Sequence, residues 1–341
     1  MIYITKKKIQ KKLKEFKQNY FYVRFYNDSE PVIYINLNHR TKVRTYLNLF
    51  FRIYQVYKEP IVIKFSLLRM IFLAKWFNKL DYIYFEKPFS KITKLKVFSH
   101  HKNADFIVDF NYKKVYSSDD YQSNALPYIM HPSNYLYPDF KIFEKNIGIL
   151  MSGNFEERIY NTKIISDNFG LLNRWEIYTE IRKHKKTLSI SGNELVRDLN
   201  TRRFKDSLVL MNWQSGAINT EKWRCYLSSA DFIFCAPGMT MPMCHNVLEA
   251  MSVGVIPILN YPHWLNPSLK DDFNCLVYQD VSDIRYVIDK ALSLTSDKKI
   301  EMRKNIIEYY KKYYENYTFY EKKNVELIVL NENIKDLIKT T

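Results

Sequence analysis

Glycine is scarce in this chain, seven residues in 341, and all seven lie from Gly148 onward. The two halves are therefore built differently. Cysteine is scarcer still: Cys225, Cys235, Cys244 and Cys275, with no CxxC pair among them. That excludes a disulfide framework and a structural zinc site, and fits a reducing, cytoplasmic compartment. No apolar h-region follows the lysines of MIYITKKKIQKKLKEFKQNY, so a cleaved secretory signal is not expected. The greasiest stretch, IVIKFSLLRMIFLAKWF, is interrupted by Lys64, Arg69 and Lys75. It falls short of the ~18–20 apolar residues that a membrane span requires. No Asp-x-Asp triplet occurs, no internal repeat is evident, and no zinc-finger, RRM or helix-turn-helix pattern is visible.

What is present is basic charge, unevenly spread. Residues 1–147 hold 26 Lys+Arg against 12 Asp+Glu, a net +14, whereas residues 148–341 hold 26 against 24, a net +2. The wealth of Lys, Ile, Asn, Tyr and Phe fits an AT-rich bacterial genome, which weakens any argument from total charge but not from its distribution. Near the N-terminus Ile9, Leu13, Phe16 and Tyr20 form an apolar helical stripe among the lysines from Lys6 to Lys17. Such a helix either lies on an anionic membrane leaflet or packs on its own domain with solvated lysines.

The length suits two medium domains. In the first half YFYVRFYN, PVIYINLN, PIVIKFS, DYIYFEK, LKVFS and ADFIVDF read as strands alternating with helical patterns. Pro127, Pro132 and Pro138 then exclude a regular central element. After them IGILMSGN, KTLSISG, SLVLMNW, DFIFCAPG, VIPILN and NCLVYQD read as strands separated by helices. The expectation is an α/β protein with parallel sheets. Its N-terminal domain spans 1–130, a linker 131–145 and a C-terminal domain 146–315, with a helical extension over 316–341 that packs back across the first domain.

In a parallel sheet, ligands settle outside the carboxyl ends of the strands. Three predicted loops on that rim carry glycine: SGNFEER with Gly153, Asn154 and Arg158; WQSGAIN after Trp213, Gln214 and Ser215; and PGMTMPM with Gly238, Met239 and Thr240. The last belongs to DFIFCAPGMTMPMCHNVLEAMSVGVIPIL, residues 231–259, which reads as strand, loop, amphipathic helix and strand. Val247, Leu248 and Met251 make its buried stripe, while His245, Asn246, Glu249 and Ser252 fall on the opposite side. The helix N-terminus would suit a phosphate and Glu249 a ribose diol. An ordinary βαβ unit with Glu249 on a solvated face is the other reading, and spacing alone leaves both open.

Residues 231–259 resemble the donor-site signature of GT-B glycosyltransferases, nearest to exostosin-type and related bacterial polysaccharide transferases. The resemblance implies two Rossmann-like domains facing across a cleft, with a nucleotide-sugar donor held by the C-terminal one. It places Glu249 on the donor ribose and the backbone amides of Gly238, Met239 and Thr240 on the diphosphate. His245, Asn246, Gly153 and Asn154 complete the expected donor set. The loop lacks the basic residue many relatives place near the proline. Arg158 is the candidate to supply it, unless it is a surface arginine beside Glu156 and Glu157. Trp213, Gln214 and Ser215 stand where the nucleobase is expected, unless Trp213 is core.

A transfer also needs a base for the acceptor hydroxyl. His39, which follows a strand, is the first candidate, then Asp119 and Asp120, with His100 and His101 behind them; His131 stands near the hinge. The expected activity is inverting, metal-independent transfer to a glycan or lipid-linked acceptor in bacterial capsule or lipopolysaccharide synthesis. The expected place is the inner face of the cytoplasmic membrane, on an anionic surface, with no cofactor and no nucleic-acid partner. A nucleotide-sugar epimerase of the same fold and a basic nucleic-acid-binding module are the alternatives.

Overall fold

The computed structural model describes 139–239, 241–265 and 267–315, and outside them only 25, 32–36, 59–64, 80, 82–85, 95–98, 106–109, 130, 134 and 328–331. The chain divides into two compact units, one built chiefly on Met1–Asn111 with Phe319–Asn333, the other on Pro127–Thr318.

The first unit holds β1 (Val32–Asn36), β2 (Ile61–Lys64), β3 (Ile83–Phe85) and β4 (Leu95–Phe98) in a parallel sheet ordered β3-β2-β1-β4. Ile61, Val62 and Ile63 are all buried, so β2 is covered on both faces, as its unbroken apolar run requires. A separate parallel pair joins β5 (Phe106–Asp109) to the C-terminal strand β12 (Ile328–Asn331). Within the expected helical extension 316–341 the described residues Ile328–Asn331 are a strand: they are apolar and β-branched at Ile328 and Val329, and they pair with β5; the rest of the extension lies outside the described residues.

The second unit holds β6 (Ile147–Gly153), β7 (Thr187–Ile190), β8 (Leu208–Asn212), β9 (Ala230–Phe234), β10 (Ile256–Leu259) and β11 (Leu276–Val277). They form one parallel sheet ordered β7-β8-β6-β9-β10-β11. Alternate residues of each strand enter two cores. On one face Ile149, Phe232 and Ile258 meet α3 (Arg174–Ile181) and α7 (Val281–Ser293). On the other, Leu150 and Ile233 meet Leu227 of α5 (Trp223–Ser228), Val247 of α6 (His245–Ser252) and Ile306 of α8 (Ser296–Tyr310). Before α3 come two short helices, α1 (Glu157–Tyr160) and α2 (Ile164–Phe169); α4 (Gly192–Asp198) follows β7. Capping boxes start α3 at Asn173, α4 at Ser191 and α7 at Asp280.

The expected linker 131–145 contributes to this second unit where it is described. Phe140 lies under the Arg224 guanidinium at 4.1 Å, and Phe143 packs edge-on against Tyr226. Prolines exclude regular elements here, not packing. Lys145 then reaches the amino end of the sheet, its Nζ donating to the carbonyls of Ala230 (2.8 Å) and Gly254 (3.3 Å). Nearby, buried Asp231 accepts from Arg303 at 2.8 Å, with Lys299 and Lys205 at 3.5 and 3.8 Å.

Burial, reinforced by the repulsion of Arg303, holds the Lys145 ammonium down at about 7. The unfolded chain therefore binds more protons than the native one between that value and the free lysine value of about 10.4. Unfolding free energy measured by urea titration is expected to rise as pH climbs from 7 to 10, and Lys145→Met to flatten that rise. A second outcome concerns Gly254, at φ +68, where a Cβ would sit 2.7 Å from Ile307 Cδ1. Gly254→Ala is expected to lower stability by about 1–3 kcal/mol in the same titration.

Candidate functional site

Parallel pairing brings the carboxyl ends of β8, β6 and β9 side by side, so the three glycine loops share one edge as their spacing suggests. From β6 the chain passes to the outer strand β7 and returns to β8 beside β6, then crosses to the other side and continues through β9, β10 and β11. The reversal falls between β6 and β9, and the crevice outside such a point is where open α/β sheets take ligands.

One side chain organises that crevice. Arg174 is the first residue of α3 and is buried. Its Nε donates to the Pro237 carbonyl at 3.1 Å, Nη1 to the Asn154 carbonyl at 3.5 Å and Nη2 to Cys244 Sγ at 3.4 Å. Its guanidinium also lies 4.3 Å from the centre of the Tyr160 ring. Among the described residues no carboxylate pairs with it. The basic residue missing from PGMTMPM is thus brought to that loop by an arginine 63 positions upstream of Pro237. Sequence reading missed it, although Asn173 with Glu176 three residues on is a capping box that would have set Arg174 at the start of a helix just after the β6 loop.

The neighbouring loop is tied to itself. Glu156 accepts from Arg158 Nε at 2.6 Å, from Gln214 Nε2 at 2.6 Å and from Asn154 Nδ2 at 3.5 Å. The hydrogen bond from Arg158, outweighing desolvation, holds this carboxyl below its usual range. Arg158 is 83 % exposed and neutralised by Glu156, an ion pair of the surface kind. Gln214 joins the β6 and β8 loops, while Ser215 donates back to the Asn212 carbonyl. Trp213 is 51 % exposed in the short 3-10 turn Trp213–Ser215, which excludes the core reading.

Two expectations for the β9 loop are overturned. The amide of Gly238 is not free for a diphosphate, because it donates to the carbonyls of Met241 (3.0 Å) and Pro242 (3.3 Å). The loop closes on itself so tightly that a Cβ at Gly238 would lie 2.9 Å from Met241 O. Met239 is exposed; Thr240 lies outside the described residues, as do His39, His100, His101, Asp119, Asp120, His131 and the lysine-rich N-terminal helix. Secondly, the side of α6 carrying Asn246 and Glu249 is not open. Glu249 is 2 % exposed, its oxygens accepting from Asn134 Nδ2 at 2.8 Å and Trp223 Nε1 at 2.7 Å. Asn246 is buried as well. Indole and amide cover replaces water because Trp223 of α5 and Asn134 lie over that side; Arg224 Nη2 donates to the Asn134 carbonyl at 3.0 Å and fixes it there.

At the first turn of α6, Cys244 Sγ lies 3.7 Å from His245 Nδ1. Burial disfavours the imidazolium, but the carboxylate of Glu249 one turn on, with Cys244 beside it, overrides this and raises His245. Burial likewise opposes thiolate formation at Cys244, but the cationic His245 and Arg174 together draw that thiol below its usual range. The end of the crevice formed by α6 thus carries an imidazolium and a guanidinium around one sulfur.

No protein-family model matches the chain, and no curated protein does. Several solved structures resemble it at low identity. They include the C-terminal domain of a group 1 glycosyl transferase, LpcC, from Francisella tularensis (15 % identity, 50 % of this chain, 88 % of that one, TM-score 0.31). HepE of Anabaena in complex with UDP gives 8 % identity over 83 % of this chain and 95 % of that one, TM-score 0.38. Sucrose-phosphate synthase from Thermosynechococcus elongatus gives 13 % over 81 % and 76 %, TM-score 0.37. Likeness at that level leaves activity to be argued from the chain's own residues.

Because Glu249 is an internal acceptor, Glu249→Ala strands one buried and one part-buried donor and is expected to cost about 2–4 kcal/mol of stability. A double-mutant cycle with Trp223→Phe is the check: the pair is expected to be less destabilising than the sum of the two single changes, since the second removes a donor the first left unpaired.

Proposed function

We propose that the second unit holds the diphosphate of a nucleotide-sugar in the crevice between the β6 and β9 loops, and that the protein is a glycosyltransferase. The observation that carries this reading is Arg174, a buried guanidinium without a carboxylate partner among the described residues, set at a switch point beside the first turn of α6. A departing nucleoside diphosphate gains negative charge as the bond from the anomeric carbon to its phosphate oxygen breaks. Fixed cations and helix amides in a poorly solvated crevice stabilise that charge without reorganising. Arg174 and protonated His245 fill this role here, in place of a metal ion. Glu249 acts through His245, whose charge it sustains, and Trp213 offers an exposed indole for the base to stack on.

The finer parts of the proposal follow from the first half of the chain. An inverting transfer takes its base from there, with His39 ahead of Asp119 and Asp120. The net +14 of residues 1–147 suits a lipid-diphosphate or acidic glycan acceptor in bacterial surface-polysaccharide synthesis at the anionic inner face of the cytoplasmic membrane.

The test is thermal stability in the presence of UDP, GDP, CMP, ADP and dTDP in turn. One of them is expected to stabilise the protein, by about 2.7 kcal/mol at a hundredfold excess over its dissociation constant. Trp213→Ala, which removes only an exposed side chain, is expected to keep the nucleotide-free melting temperature and lose most of the shift. No shift with any nucleotide, together with steeply salt-dependent binding of random DNA or RNA, would overturn the proposal in favour of a nucleic-acid-binding module.

A further inference from the structure

Cationic groups from two elements converge on the sulfur of Cys244 at the crevice: Arg174 Nη2 from α3 at 3.4 Å and His245 Nδ1 from α6 at 3.7 Å. Cys244 itself is partly exposed and stands immediately before the first residue of the eight-residue helix α6, whose free amides favour an anion. We propose that Cys244 is a site of reversible covalent modification, its thiolate reacting with hydroperoxides, and that the oxidised sulfur obstructs anion binding in the crevice. The second clause rests on the donor-site reading above; the first does not.

Two further side chains, one on α6 and one after β10, carry buried polar atoms that make no hydrogen bond. Tyr261, which follows β10, is fully buried, and its hydroxyl has no hydrogen-bond partner among the described residues. Asn246, two residues from Cys244 and more than nine-tenths buried, has an Oδ1 without a partner. Buried polar atoms are rarely left so, and each calls for a missing partner. The oxygen of a sulfenic acid both donates and accepts, which are the roles such groups lack.

His245 and Arg174 act on this sulfur directly, and Cys235, Tyr261 and, through His245, Glu249 stand beyond them. Two are cations, and two of the rest, Cys235 and Tyr261, are held neutral, since burial pushes both well above their ordinary values. Glu249 is engaged by Asn134 and Trp223. Cys275 is buried and pushed up in the same way, which leaves partly exposed Cys225 as the natural comparison.

In the reaction the thiolate attacks one oxygen of the hydroperoxide. An S–O bond forms, the O–O bond breaks, and hydroxide or alkoxide leaves and takes a proton from solvent. Sulfur is oxidised by two electrons and the peroxide reduced by two. A small thiol of the glutathione class reverses it: attack on the sulfenic sulfur expels water and gives a mixed disulfide, and a second thiol releases Cys244 with formation of the oxidised small-thiol dimer.

The test uses the full chain. Iodoacetamide is applied at graded pH and each cysteine followed by peptide mass spectrometry. Cys244 is expected to react at least tenfold faster than Cys225 at pH 6.5, with its half-maximal rate at least one pH unit below the ordinary thiol value of about 8.5. In His245→Asn its rate is expected to fall toward that of Cys225, whose own rate reports an intact fold. Hydrogen peroxide followed by dimedone is expected to label Cys244, and glutathione added before dimedone to prevent it. A Cys244 rate no greater than that of Cys225, or no dimedone adduct there, overturns the modification site. Fast labelling that no nucleotide of the panel slows leaves the modification site standing and removes its link to the donor crevice.

Discussion

The arrangement of the crevice depends on the guanidinium of Arg174. Loops at the ends of neighbouring strands have no hydrogen-bond ladder to hold them in register, and here one planar donor set bridges the backbone at Asn154 and Pro237 and the sulfur of Cys244. Burying that charge is costly, and two carbonyls, the Cys244 sulfur and an aromatic face offset the cost only in part. A site in that condition gains when an anion arrives. Structure and ligand preference are therefore two effects of one residue.

Charge is arranged differently at the two edges of the same sheet. At the amino edge Asp231 gathers Arg303, Lys299 and Lys205, a closed cluster whose anion is deep and satisfied. At the carboxyl edge the anion, Glu249 of α6, is buried and engaged by Trp223 and Asn134, while Arg174 stands at the start of α3 and His245 one turn before the acid. The acid thus raises the proton affinity of His245 without cancelling the charge of Arg174 in a direct pair. This is a stabilised core at one edge and an incompletely neutralised one at the other.

The strands were legible in the sequence because buried parallel strands are unbroken apolar runs: IGILM, DFIF and IPIL need little context. The shared rim of three loops was legible for the same reason, since parallel order puts all carboxyl ends on one edge. What could not be read was which polar residues lie inside. Helical spacing put Glu249 opposite the Val247, Leu248 and Met251 stripe, but a second cover over that side comes from Asn134 and Trp223, 115 and 26 positions away. Gly238 looked like an open amide because glycine permits close approach, and the approach is made by the loop's own Met241 and Pro242. Arg174 was passed over because its partners are mostly backbone atoms, which leave no pattern of side chains to recognise. The apolar centre of β12 was submerged in a long lysine- and tyrosine-rich helical pattern.

That last strand has a bearing on how the chain acquires its shape during synthesis. β12 follows β5 by more than two hundred residues, so their pairing waits until those intervening residues have left the ribosome. The entropy of closing so long a loop grows only slowly with length, about 0.6 kcal/mol per doubling, so the delay is set by translation and not by thermodynamics. The second unit, contiguous from Pro127 to Thr318, can complete its sheet in the meantime. Until then β5 presents an unpaired edge, the kind of surface on which nascent chains aggregate, and a stalled or truncated product would keep it.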